Sequence, residues 1–245
     1  MVDRNTYYSS APSRSAAEID EGLRAYMLTV YNYMASALAL TGLAAYVTAN
    51  TPALLSIFYT VQGNMVAPTM LGYVAMFSPL AFVLVLNFGI NRMKASTTQM
   101  VFWGFAVVMG LSLSNLLLMY TGASVAKTFF VTSAAFGALS LFGYTTKKNL
   151  SGMGSFLIMG LFGLIIASVV NMFLQSGPMD FIISIIGVLI FAGLTAYDTQ
   201  RIKLMYLESD HSETASKKAI MGALSLYLDF INMFLFLLRF MGNRE

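Results

Sequence analysis

The sequence predicts an all-α, polytopic membrane protein: a seven-transmembrane-helix bundle. Three observations carry this reading. Hydrophobic residues make up 58% of the 245-residue chain and charged residues only 10%, whereas soluble domains average about 25% charged. Mean hydropathy is +0.72. The apolar residues are gathered into runs of roughly 20, the length a helix needs to cross the hydrocarbon of a bilayer.

Residues 1–24 form a polar arm containing Ser, Pro, Arg and acids. No short apolar stretch follows a basic start, so no cleaved signal peptide is expected. The arm is expected to be cytoplasmic, flexible or interfacial, and AAEIDEGLRAYM suits a short amphipathic helix leading into the first span. Residues 25–245 read as a single transmembrane domain. Its spans are expected near 27–48, 70–91, 100–120, 125–145, 153–174, 181–200 and 219–240. The segment ALLSIFYTV at 53–61 is too short to cross and is expected to lie at the interface in the first outer loop. Pro79 falls inside the second span, where membrane helices tolerate a kink. Ser36, Ser112, Asn115, Ser133, Gly137 and Gly163 read as helix-packing and interhelical hydrogen-bonding positions.

Charge placement orients the bundle. With the N-terminus inside, the inner segments carry Arg4, Arg14, Arg24, Arg92, Lys94, Lys147, Lys148, Arg201, Lys203, Lys217 and Lys218, which is 11 of the 14 basic residues. Lys127, Arg239 and Arg244 fall outside. The positive-inside rule therefore favours a cytoplasmic N-terminus, and seven crossings put the C-terminus outside. The loop at 49–69 has no charged residue, as a translocated segment should. The net charge of +3 gives no reason to expect a nucleic-acid partner, and the surrounding solvent is the lipid bilayer. The expected location is the bacterial inner membrane.

Of the eleven acids, nine lie in the arm, the loops or the chain end. Only Asp198, in AGLTAYDTQ, and Asp229, in LSLYLDFIN, fall within predicted spans. Carboxylates there are expensive to hold and commonly face a partner, a cavity or a proton path. Asp229 lies about ten residues into the seventh span, near mid-membrane at 1.5 Å per residue. Gly222, Ser225, Asp229, Asn232, Phe236 and Arg239 recur at three- and four-residue steps and share one helix face. That mostly small or polar stripe is expected to point into the bundle. Simpler roles remain open for both acids. Asp198 suits a hydrated helix end close to Arg201 or Lys203. Asp229 suits a buried hydrogen bond to Ser225, Asn232 or another helix. From the expected span ends, the two differ in depth by up to about 10 Å. They meet if the sixth helix continues through DTQRIKLMY and tilts, or if a water-filled vestibule reaches Asp229.

AYDTQRIK, followed by ALSLYLDFINMFLFLLRFMG, resembles the transmembrane Bax inhibitor motif family, and LTVYNYMASALALTGLAAY is similar to its early segment. The resemblance covers nearly all of the chain after the arm and is most specific in the last 55 residues. It implies a bundle with the last helix at its centre, surrounded by the other six, and a pH-sensitive Ca²⁺ leak. It places the family's di-aspartyl sensor on Asp198 and Asp229. It also makes Arg92, in INRMKAS, the candidate latch arginine. The second span lacks the acid that some relatives carry there.

The chemistry of a carboxylate pair suits a sensor. Two such groups in contact do not both ionise cheaply in low dielectric, so they share a proton. The expectation is that Arg92 pairs with Asp198 when the cytoplasmic mouth is shut, and that protonation weakens this ion pair and opens the mouth. Ser225 and Asn232 would support the site from the polar face. Oxygen ligands suit Ca²⁺, and so sparse a set, Asp198 and Asp229, would hold it only weakly and transiently. No other cofactor is expected; the ligands are Ca²⁺ and protons.

Two further readings follow from the same residues. An aspartate dyad on consecutive helices, with Tyr197 before Asp198, is also similar to intramembrane aspartyl proteases, which would activate water by general acid–base catalysis. The chain departs from that pattern, with Leu-Tyr-Leu before Asp229 in place of Gly-x-Gly, and without a Pro-Ala-Leu motif near the C-terminus. Some bacterial Bax inhibitor relatives also imply a modulatory partner role toward a membrane-anchored quality-control protease, to which the polar arm could present itself. Other enzyme signatures are missing. There is no cysteine, which excludes thiolate chemistry, and no phosphate loop or HExxH. The one histidine, His211, sits in the polar stretch LESDHSETASKK. The chain is therefore read as no enzyme. Its aromatic residues suit interfacial belts, and its 18 Met suit core filling.

Overall fold

The computed structural model describes residues 16–62 and 65–243. Seven of its helices are long and apolar enough to cross a membrane. They are α1 (Ala16–Asn50), α3 (Met70–Gly89), α4 (Ala95–Leu113), continued after a break by the short α5 (Leu116–Met119), α6 (Gly122–Thr145), α7 (Ser151–Leu174), α8 (Gly177–Met205) and α9 (Ser212–Met241). Residues 16–24 of the expected polar arm continue as helix into the first span, and residues 1–15 lie outside the described residues. The start of α1 and the α3–α4, α6–α7 and α8–α9 turns define one end of the bundle. This basic end carries most of the basic side chains among the described residues.

The first outer loop has its own structure. Pro52 starts the one-turn-plus α2 (Pro52–Phe58), where a missing N–H does no harm. Tyr59 then opens a hairpin of β1 (Tyr59–Gln62) and β2 (Met65–Pro68), with Tyr59 opposite Pro68. The segment at 53–61 is thus split between a helix and a strand. Thr69 closes the unit. Its hydroxyl donates to the Ile57 carbonyl at 2.6 Å and accepts from the Gly72 amide at 3.0 Å, capping α3. A side chain at Gly72 would run into the Phe58 carbonyl, so glycine is what lets the loop lie against the start of α3. Pro79 is buried within α3.

Helix α9 is the most buried span. It packs against α8, α1, α6 and α4, while α3 packs chiefly on α4 and α7 chiefly on α8. The last helix is therefore central, with four neighbours in direct contact and two helices in an outer layer. Hydroxyls tie the layers together. Thr41 on α1 donates to the Ala106 carbonyl on α4 at 2.8 Å, and its oxygen lies 2.7 Å from the Tyr227 hydroxyl on α9. Ser140 on α6 is hydrogen-bonded both to Tyr31 of α1 at 2.6 Å and to Thr199 of α8 at 2.9 Å. With no hydrophobic drive between helices in lipid, such bonds and close backbone packing hold a bundle.

The packing positions differ from the sequence expectation. Ser36 and Ser133 bond to carbonyls of their own helices, and a side chain at Gly137 or Gly163 would meet nothing within 4 Å. Close approach occurs elsewhere. A methyl at Gly143 would strike the Ala196 carbonyl, one at Gly110 would lie 2.5 Å from the Thr41 carbonyl, and one at Gly154 would enter the Tyr197 ring. Hydropathy alone does not reveal which face of a uniformly apolar helix meets a neighbour, so these contacts are invisible in composition.

Candidate functional site: an acid cleft between α7, α8 and α9

Helix α8 continues through DTQRIKLM to Met205, several residues beyond the expected end of the sixth span. This extension decides the depth of Asp198. Lys218 donates to the Met205 carbonyl at 3.1 Å, Arg201 to Ser225 at 3.1 Å, and Gly222 faces Ile202. In that antiparallel register Asp198 lies level with about residue 226, so Asp229 is only about one turn deeper. The expected offset of up to about 10 Å shrinks accordingly.

Both aspartates open on one cavity of about 560 Å³ between α7, α8 and α9. Its polar lining is Asp198, Arg201, Ser225, Asp229, Asn232 and Ser168, and its walls are apolar residues such as Leu161, Leu194 and Leu228. Asp198 is 9% exposed and Asp229 5%. The Arg201 guanidinium lies 3.3 Å from Asp198 Oδ1, and the same nitrogen donates to Ser225 Oγ. Asp229 lines the same cavity wall as Asp198 and Arg201. Its Oδ2 is fully buried and has no hydrogen-bond partner, an arrangement that is costly to retain. Asn232, one turn on, donates to the Leu228 carbonyl at 2.8 Å, which leaves its side-chain oxygen available to the cleft.

Each expected site residue has a definite place. Asp198, Asp229, Ser225 and Asn232 are brought together. Arg92 is not: it sits exposed on the α3–α4 turn, and the basic partner of Asp198 is Arg201, one turn along the same helix. The simpler expectation for Asp198, a contact with Arg201, is thus realised within the cleft rather than at a hydrated helix end. A further ion pair was hidden by the expected span boundary. Helix α8 begins at Gly177, four residues early, and takes Asp180 into its first turn, where Asp180 Oδ1 lies 3.3 Å from Arg239 at the end of α9. Arg239 stood on the polar stripe of the seventh helix, which was the available signal for it. Among the described residues no three His, Cys, Asp or Glu side chains gather into a metal-holding cluster.

The family model described as inhibitor of apoptosis-promoting Bax1 matches residues 23–245. The chain belongs to this Bax inhibitor-like family. It is 51% identical over 226 residues to an uncharacterized protein of Rickettsia prowazekii, covering 92% of each chain. It is 49% identical over 250 residues to an uncharacterized protein of Caulobacter vibrioides, covering all of both. It is also 44% identical over 235 residues to the inner membrane protein YbhL of Escherichia coli K12, covering 95% of this chain and 97% of that one. As a member of this family it is a multi-pass membrane protein in contact with lipid on its outer helices, where Phe77, Phe156 and Phe173 project from the bundle.

Proposed function

We propose that this Bax inhibitor-like protein is a proton-regulated Ca²⁺ leak of a bacterial inner membrane, with Asp198 and Asp229 as the proton-sensing pair. The observation that carries the reading is the Asp229 carboxyl oxygen, buried and unpartnered beside an Asp198 already neutralised by Arg201. Such an oxygen is a ready seat for a proton or a passing cation. Asp229 holds the first proton; a second, taken up by Asp198 as the pH falls, removes the charge that holds Arg201, and the guanidinium then leaves Ser225 as well. The α8–α9 seam at the basic end loosens, and Ca²⁺ passes through the cleft with fleeting contacts to carboxylate, hydroxyl and amide oxygens. Arg201 thereby performs the role expected of Arg92.

The orientation belongs to the same proposal. Arg24, Arg92, Lys94, Lys147, Lys148, Arg201, Lys203, Lys217 and Lys218 all sit at or near the basic end, and only Lys127 and Arg239 among the described basic residues sit at the other. That asymmetry favours a cytoplasmic basic end. The inner-membrane assignment draws on the printed name of the Escherichia coli relative.

The test is Ca²⁺ flux into liposomes, measured against pH for wild type, Asp198→Asn and Asp229→Asn. Flux through the wild type should rise as the pH falls, and both variants should lose that dependence. An unchanged pH profile in both variants rejects the sensor.

A further inference from the structure

Phe236 lines the acid cleft one helical turn inside Arg239. Beyond that ring, toward the end of the bundle opposite the basic one, lies a second cavity of about 540 Å³ lined by Ser168, Asn171, Gln175, Asp180 and Arg239. The two cavities share Ser168 in their walls. Between them the Phe236 ring occupies a notch on α8 that exists only because residue 187 is glycine: a Cβ there would lie 2.6 Å from Phe236 Cγ. The ring stacks on Phe191, with centroids 5.9 Å apart. From the outer side the Arg239 guanidinium stands over it, 5.7 Å from its centroid, and is itself held by Asp180 at 3.3 Å. An apolar ring between two acid-bearing cavities is the arrangement by which a narrow passage excludes water and ions.

We propose that Phe236 is the gate of a cation path running between α7, α8 and α9, and that the Asp180–Arg239 pair at the outer mouth holds it shut. This rests on the cation-leak reading above and extends it to the far half of the passage. The inner chamber carries Asp198 and Asp229, the outer one Asp180, so a hydrated divalent cation finds carboxylate oxygens on both sides of the ring. Arg239 does two things: it neutralises the outer acid and it covers the ring. Separating the pair therefore exposes an acid to the cation and releases the ring in one movement.

The chain has no cysteine, so a single Leu228→Cys, in the wall of the inner chamber, reports access to that chamber. In oriented vesicles, a membrane-impermeant cationic thiol reagent is added on the Asp180 side. Modification should be slow with Phe236 present and on the order of tenfold faster with Phe236→Ala. Asp180→Arg should act in the same direction, and adding Arg239→Asp should restore slow modification. Where Phe236→Ala does not give folded protein, Gly187→Ala makes the same test, because its methyl takes the ring's seat. Unchanged modification rates in a folded Phe236→Ala or Gly187→Ala protein overturn the gate. Ca²⁺ flux on the same vesicles separates the two ideas. Faster modification with no Ca²⁺ flux in any variant at any pH keeps the gate and rejects the Ca²⁺ reading. Regulated Ca²⁺ flux with unaltered modification and leak rates in the variants rejects the gate alone.

Discussion

Arg201 of α8 donates to Ser225 of α9 at 3.1 Å, so the guanidinium that neutralises Asp198 also ties the two helices together. A single charge change at Asp198 is thereby coupled to the contact between the two helices that line the acid cleft.

That coupling predicts the behaviour of substitutions at 201. Arg201→Gln leaves Asp198 without its ion pair and Ser225 without its charged donor. Basal Ca²⁺ leak should rise on the order of tenfold and respond weakly to pH. Arg201→Lys keeps the charge, but on a shorter, more strongly hydrated ammonium, so it should restore only part of the wild-type leak and pH response in the same flux assay.

Asp229 predicts a conflict between stability and regulation. A buried carboxyl oxygen without a partner costs about 1–3 kcal/mol, and the adjoining cavity leaves room for an apolar side chain. Asp229→Leu should therefore unfold at a higher temperature in detergent than the wild type while losing pH regulation of flux, a trade common at functional sites. A lower unfolding temperature would show that the carboxylate is a structural element.

The Thr41–Tyr227 contact predicts a purely structural effect. Tyr227 is fully buried and its hydroxyl lies 2.7 Å from Thr41, on the face of α9 away from the acids. Tyr227→Phe should lower stability by about 1 kcal/mol, in line with interhelical bonds in membranes, as read by thermal unfolding. The pH profile of Ca²⁺ flux should keep its shape.

The glycines of α6 supply a paired comparison. A methyl at Gly143 would strike the Ala196 carbonyl, whereas one at Gly137 meets nothing within 4 Å. Gly143→Ala should destabilise the bundle by about 1–3 kcal/mol through forced separation of α6 and α8. Gly137→Ala should be neutral or slightly stabilising, since it favours the helix.

The spans and the acid pair were legible in the sequence because both depend on local signals. Runs of apolar residues set the helices, and a lone Asp such as Asp229 stands out against them. The polar stripe through Ser225, Asp229, Asn232 and Phe236 followed from helical spacing and does line the cleft. What was illegible depends on partners far along the chain. Asp180 reads as a loop residue in the sequence, whereas α8 starts at Gly177, and its pairing with Arg239 spans 59 positions. The Gly187 notch for Phe236 and the approach of Gly143 to Ala196 require knowing which helix faces which. The hairpin at Tyr59–Pro68 was masked because its apolar residues read as an interfacial stretch. Resemblance alone puts Arg92 at the mouth, whereas Arg201, one turn from Asp198 on the same helix, makes the contact.

The central claim is that Asp198 and Asp229 act as one titrating unit. Infrared difference spectroscopy of the protein in bilayers, with isotope-labelled aspartate carboxyl groups, measures this directly as pH is varied. The account predicts protonated-carboxyl absorption that belongs to the pair, is lost as pH rises in two well-separated steps shared by both residues, and collapses to a single displaced step with Asn at either position. Two bands that titrate separately, each indifferent to substitution of the other residue, would contradict it.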